Sequence, residues 1–221
     1  MVPETSLFIH RYFTAENRLA EIICAIVMVL SFTATTGGSF EGTTPNALLI
    51  AVLGCNIAWG IVDGATYILG NLLNRGVRAR LLATLKQDPA NPEAGRIVAK
   101  RIEAALGPVL TPEQLEQVRV WVGQGVARHE PEPNRVTRED LLTGLACFIV
   151  VFSATLPLLL PFLLIKNDQI ALRICNALML VMLFLVGWRW AGLVNINRMK
   201  MGLTLLGTGL VLVIVTVLLG G

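Results

Sequence analysis

Charge, histidine and usefully spaced cysteine are all scarce in this sequence, and each scarcity removes a class of function. Only 15% of its 221 residues are Asp, Glu, Lys or Arg, against about 25% in an ordinary soluble domain, so a wholly water-exposed globule is excluded. The two histidines, His10 and His129, are too few for a histidine-rich zinc centre within one chain. The four cysteines, Cys24, Cys55, Cys147 and Cys175, form no CxxC pair and no disulfide-scaffold spacing. Each sits in or beside an apolar run and reads as a small packing residue. No serine–histidine, paired-histidine or adjacent two-carboxylate catalytic set is visible, so the expectation is no enzyme. A phosphate-binding glycine loop is also missing. The first twenty residues carry Glu4, Arg11, Glu16 and Arg18 and have no apolar core ahead of a small-residue cleavage site, so no cleavable signal is expected.

What the chain does have is apolar length. Hydrophobic residues make up 54% of it and the mean hydropathy is +0.67. Uncharged runs near twenty residues recur, the length that crosses a hydrocarbon core as an α-helix. Five spans are expected, at Glu21 to Phe40, Asn46 to Asn74, Leu141 to Ile165, Ile170 or Ala171 to Trp190, and Met201 to Leu219. The predicted fold class is an all-α integral membrane protein, with five transmembrane helices and a small helical cytoplasmic lobe between spans two and three. The organisation is then a cytoplasmic leader over 1–20, spans one and two over 21–74, the lobe over 75–140, and spans three to five over 141–221. Within the leader, Ser6 to Phe13 mixes apolar and basic residues and could lie at the membrane interface.

Basic residues near span ends set the topology. Arg11 and Arg18 precede span one, Arg75, Arg78 and Arg80 follow span two, and Arg189, Arg198 and Lys200 flank the turn between spans four and five. The Gly37 to Pro45 turn carries only Glu41, and the Lys166-Asn167-Asp168 turn is the other outer one. This bias predicts a multi-pass protein with its amino terminus cytoplasmic and its carboxyl terminus extracytoplasmic, in the inner membrane if the cell is bacterial. From Arg75 through Asp140 eleven bases face nine acids. Topology already explains those bases, so no nucleic-acid partner is expected.

The lobe reads as three helices, Val77 to Lys86, Pro92 to Leu106 and Pro112 to Arg128. Asn91-Pro92 and Thr111-Pro112 each place a capping residue before proline at the first helical position, and Thr111 with Gln114 fits a capping box. Leu115, Val118 and Val122, with Trp121 beside them, predict a buried face on the third. Thr137 with Asp140 is a further capping signature ahead of span three. That span contains Pro157 and Pro161, which remove amide donors and predict a bend, for packing or for gating.

Asp63 is the single formal charge in Asn46 to Asn74. An acid in mid-span costs a few kcal/mol or more to bury charged and commonly faces a partner, a water-filled path or a substrate. Asn56, Gly60, Asp63, Tyr67, Gly70 and Asn74 form a rough stripe at helical spacing, with Asn71 beside it. In span one Glu21, Cys24, Met28, Ser31 and Thr35 share a face. Either stripe could line a path or serve as a seam for helix packing.

These features resemble the vacuolar iron transporter family from about Arg18 to Gly221. Val62-Asp63-Gly64-Ala65-Thr66-Tyr67-Ile68-Leu69-Gly70-Asn71 is similar to the family's second-span segment, with Tyr67 where a methionine and Asn71 where a glutamate is usual. Leu156-Pro157 to Pro161-Phe162 and Leu183-Phe184-Leu185-Val186-Gly187 resemble its third-span and fourth-span motifs. The family's first-span Asp-Gly pair has no counterpart between Glu21 and Thr36.

The resemblance implies a homodimeric antiporter that moves Fe²⁺ or Mn²⁺ out of the cytosol against protons, with the metal as substrate and no permanently bound cofactor. On the chemistry of the side chains themselves, Asp63 is the expected central ligand or proton carrier, Asn56 and Asn71 are neutral oxygen donors, and Tyr67 is a supporting or gating group. Glu21 could add a carboxylate at the inner mouth and Met28 a soft ligand. Two Asp63 carboxyls could meet across a twofold axis. Lobe residues Glu93, Glu103, Glu113 and Glu116 stand where the family presents metal-binding acids, though Arg96, Lys100 and Arg101 beside them equally suggest a solvated face. The missing acids leave a second possibility, a non-transporting membrane scaffold whose lobe binds a partner.

Overall fold

In lipid no water accepts a backbone amide proton, so an apolar run of spanning length must close its hydrogen bonds internally as a helix. In a computed structural model of the chain, which describes residues 4–35, 45–88, 91–128 and 134–218, every regular element is helical. They are α1 (Glu4–Tyr12), α2 (Ala15–Thr35), α3 (Pro45–Gln87), α4 (Pro92–Leu106), α5 (Pro112–Arg128), α6 (Arg138–Leu164), α7 (Asp168–Val194) and α8 (Arg198–Leu218). Five of these, α2, α3, α6, α7 and α8, are long and apolar enough to cross a membrane. The protein is thus a multi-pass, all-α integral membrane protein. The expected turn with Glu41, His129 and the Glu130 to Pro133 break lie outside the described residues.

Two boundaries differ from expectation for local reasons. Helix α2 starts before Glu21, because the Thr14 hydroxyl caps it by accepting the Asn17 amide at 3.2 Å. Helix α3 does not stop at Asn74: it runs 43 residues to Gln87, so no separate Val77 to Lys86 helix exists. Arg75 and Arg78 end the apolar span, but charge does not end a helix, and one interior Gly76 costs only about 1 kcal/mol. Helix α6 likewise stays helical through Pro157 and Pro161.

The chain forms two compact units, Met1–Ile68 with Arg138–Gly221, and Leu69–Thr137. In the first, α2 packs against α6, α7 and α8. Its core joins Ile26, Val29 and Leu30 of α2, Leu158 and Leu159 of α6, Leu172, Met179 and Leu183 of α7, and Leu48 and Val52 of α3. A second cluster gathers Phe13, Ala25, Ala146, Cys147 and Val150, with Tyr67 packed against it. All four cysteines are free, and the Cys175 thiol donates to the Leu158 carbonyl at 2.8 Å.

Glycine sets the closest helix approaches. A methyl group at Gly187 would stand 2.7 Å from the Met201 carbonyl oxygen and 3.0 Å from Gly202 Cα, so α7 and α8 touch backbone to backbone. Gly64 and Gly144 do the same for α3 and α6, with a Cβ at Gly64 only 2.8 Å from the Gly144 oxygen. That contact fixes the height of α3 next to Asp63.

In the second unit α4 and α5 pack on one another. The Asn91 side chain accepts the Ala94 amide at 3.0 Å. At α5 the Thr111 hydroxyl accepts the Gln114 amide at 3.4 Å while Gln114 Oε1 accepts the Thr111 amide at 2.9 Å, a complete capping box. Leu115, Val118 and Val122 are half-buried, but Trp121 is 65% exposed and does not join their face. Glu93, Glu103, Glu113 and Glu116 are all exposed.

Candidate functional site

The acids of the first two spans meet. Glu21 comes from the cytoplasm-proximal turns expected of α2 and is only 8% exposed. The Tyr67 hydroxyl of α3 donates to Glu21 Oε1 at 3.1 Å. One turn earlier on α3, the half-buried Asp63 carboxyl stands within hydrogen-bonding reach of Glu21. Tyr67 is held in turn by Phe13, whose ring meets it edge-on at 4.9 Å between centroids and an interplanar angle of 77°. The Gly64–Gly144 contact anchors α3 against α6 beside it.

Glu21 Oε2 is buried and finds no donor. Its neighbour Asp63 explains why, since two carboxylates have only acceptors to offer each other. A hydrogen bond there needs a proton on one of the two; a cation between them would serve both. Among the described residues no lysine or arginine pairs with either acid.

The seam continues along both helices with softer atoms. Cys55 donates its thiol to Met28 Sδ at 3.4 Å. Met28 follows Glu21 by two turns and Cys55 precedes Asp63 by about two, so α2 and α3 run antiparallel across this contact, with the sulfur pair about 10 Å along the axis from the acids. One ion cannot touch both levels at once, because metal–ligand bonds are only about 2.0–2.6 Å long. Asn56, fully buried, donates Nδ2 to the Val52 carbonyl at 3.0 Å and leaves Oδ1 without a donor. Ser31 turns its hydroxyl to the Val27 carbonyl of its own helix. Asn71 belongs to the second unit, half-buried and with a partner of its own.

Of the residues singled out from sequence, the structure brings together Glu21, Asp63 and Tyr67, and sets Met28 and Asn56 further along the spans. Sequence reasoning passed over Cys55 and Phe13. Once the structure pairs Glu21 with Asp63 in antiparallel register, Met28 falls beside Cys55. Among the described residues no group of three or more His, Cys, Asp and Glu side chains comes together.

A family model described as the VIT family matches residues 76–221. This chain belongs to the VIT family. Membership makes it a membrane protein of metal-ion transport, from a family of transporters rather than enzymes. The match takes in α4 to α8 and the end of α3, so the VIT-family assignment rests on the lobe and the last three spans. Glu21, Asp63 and Tyr67 precede it. None of the curated proteins compared matches this VIT-family chain.

Proposed function

We propose that the protein is a proton-coupled transporter of Fe²⁺ or Mn²⁺ that exports the ion from the cytosol and works as a homodimer. The observation that carries this reading is the donorless Glu21 Oε2 beside Asp63, inside two membrane spans. An uncompensated carboxyl pair is costly in lipid and is retained where it handles charge. With one proton the pair carries a charge of −1. A dication that displaces the proton leaves it neutral, so metal and proton exchange at one place without a second buried charge.

Carboxylate and amide oxygens suit Mn²⁺ and Fe²⁺, and a nearby sulfur disfavours Mg²⁺. Asn56 Oδ1 offers such an oxygen, and the Met28–Cys55 pair offers sulfur further along the same seam. Tyr67 positions Glu21 through its hydroxyl. Export and proton antiport follow from the resemblance to the vacuolar iron transporters, and the cytoplasmic amino terminus follows from the arginine distribution.

The test is metal flux in proteoliposomes with Fe²⁺, Mn²⁺, Zn²⁺ and Mg²⁺ outside and a pH-sensitive dye inside. Saturable iron or manganese flux with counter-moving protons supports the reading. Metal flux that survives in the Asp63→Ala protein would remove Asp63 from its centre. The scaffold alternative draws support from Trp121 and Val120, 65% and 52% exposed side by side on α5. It is favoured if the intact protein neither binds nor moves any of the four metals.

A further inference from the structure

A cavity of about 730 Å³, lined by neither Glu21 nor Asp63, opens in the first unit between α1, α2, α6 and α7. Its walls are apolar: Leu19 and Ile22 of α2, Val150 and Pro157 of α6, Met182 and Leu185 of α7. Its charge is gathered at one end, where Arg18, His10 and Arg189 line it. From Met182 to Leu193 along α7 the lining extends about 16 Å at 1.5 Å per residue. Arg189 also lines a smaller adjoining pocket with Trp188, Gly192 and Arg198. Arg18, near the start of α2, Arg189, near the end of α7, and Arg198, first in α8, therefore collect at one membrane interface, with Trp188 among them.

Arg18 is partly engaged. Its Nη1 contacts His10 Nδ1 at 2.6 Å and donates to the Phe13 carbonyl at 3.3 Å, which leaves other guanidinium protons to offer. Arg189 and Arg198 are exposed. No hydrogen bond or ion pair of theirs occurs among the described residues. We infer that this is a binding site for one anionic glycerophospholipid, its phosphate between Arg189 and Arg198 and an acyl chain along the α6–α7 wall. A slot that is cationic at the interface and apolar toward mid-membrane complements a molecule with the same polarity. Guanidinium suits phosphate through paired donors, and clustered bases at a bilayer surface favour anionic lipid.

The experiment is native mass spectrometry and thermal unfolding of the full chain in detergent, with added phosphatidylglycerol, phosphatidylcholine or inorganic phosphate. Wild type should retain phosphatidylglycerol and unfold later with it, while phosphatidylcholine and inorganic phosphate do neither. At about 1 kcal/mol per arginine, Arg189→Gln and Arg198→Gln should each weaken retention about fivefold. Ser153→Trp, which fills the cavity from an exposed wall position, should weaken it with the arginines intact. Arg173→Gln, near the far end of α7, should leave it unchanged. Equal retention of the two lipids by wild type would overturn the inference without any variant. Protection by inorganic phosphate alone would also overturn it, leaving an anion site, as would unchanged retention in the Arg189 and Arg198 variants.

Discussion

The α7–α8 pair and the α2–α3 pair are both antiparallel membrane hairpins, yet they are held together in opposite ways. Between α7 and α8 the glycines bring backbone against backbone, with a Gly187 Cβ barred by Met201 and Gly202. Between α2 and α3 the contacts run through long side chains, Tyr67 to Glu21 and Cys55 to Met28. The first arrangement gains van der Waals contact and leaves no room for a passenger. The second holds groups whose bonding is incomplete, Glu21 Oε2 and Asn56 Oδ1. The carboxyl oxygen without a donor thus lies in the seam made by side chains, although α7 carries a donorless amide oxygen of its own at Asn176 Oδ1.

The largest effect should come from emptying the side-chain seam of its charge. Asp63→Asn and Glu21→Gln are each expected to reduce metal flux to the level of protein-free vesicles while leaving thermal unfolding close to wild type. Flux in both variants at wild-type rates would mean that the α2–α3 seam is as structural as its counterpart. The reverse experiment acts on the backbone seam. Gly187→Ala forces a methyl against carbonyl oxygen, and overpacking of this kind costs about 1–3 kcal/mol. The unfolding midpoint should fall, and flux per folded molecule should hold. If Gly187→Ala instead lowers flux with no change in stability, α7 and α8 move during transport and the comparison fails.

Tyr67→Phe probes the boundary between the two roles. The ring remains against Phe13, and only the hydroxyl donor to Glu21 is lost. A hydrogen bond to a charged group is worth about 1.5–3 kcal/mol, so flux should fall about tenfold or more with little change in the unfolding midpoint. Unchanged flux would reduce Tyr67 to a packing residue of the Phe13 cluster.

The scaffold was far more legible in the sequence than the site. Uncharged runs gave all five spans, and Asn91-Pro92 and Thr111-Pro112 gave α4 and α5 to the residue, because capping is local chemistry written in adjacent residues. The continuation of α3 through Asn74-Arg75-Gly76 was hidden, since the signal that ends a span is charge and the signal that ends a helix is a lost hydrogen bond. The pairing of Glu21 with Asp63 was hidden for another reason. Periodicity shows which residues share a face of one helix, but the face that meets it is decided by glycine contacts such as Gly64–Gly144, between residues eighty apart. The same limit left Cys55 read only as a small packing residue although Met28 was singled out.

The smallest predicted effect lies in the lobe, where a glutamate has what Glu21 lacks. Glu113 is exposed, and hydrogen bonds from its own amide and from the Thr111 hydroxyl hold its carboxyl below the ordinary glutamate range. A depressed folded-state value means stability that is present above the ordinary pKa and lost as pH falls through the folded one. In Thr111→Val the amide bond remains and the hydroxyl bond goes, so Glu113 should titrate nearer its ordinary value in a carboxyl-detected NMR titration. The lost cap should cost about 0.5–2 kcal/mol, toward the lower end because the Thr111–Gln114 contact is long, at 3.4 Å, and its reciprocal bond survives. The effect on metal flux should be nil. A flux defect in Thr111→Val would tie the lobe to transport; an unmoved Glu113 titration would mean that the amide alone holds the carboxylate, as a helix N-terminus does without help from its cap.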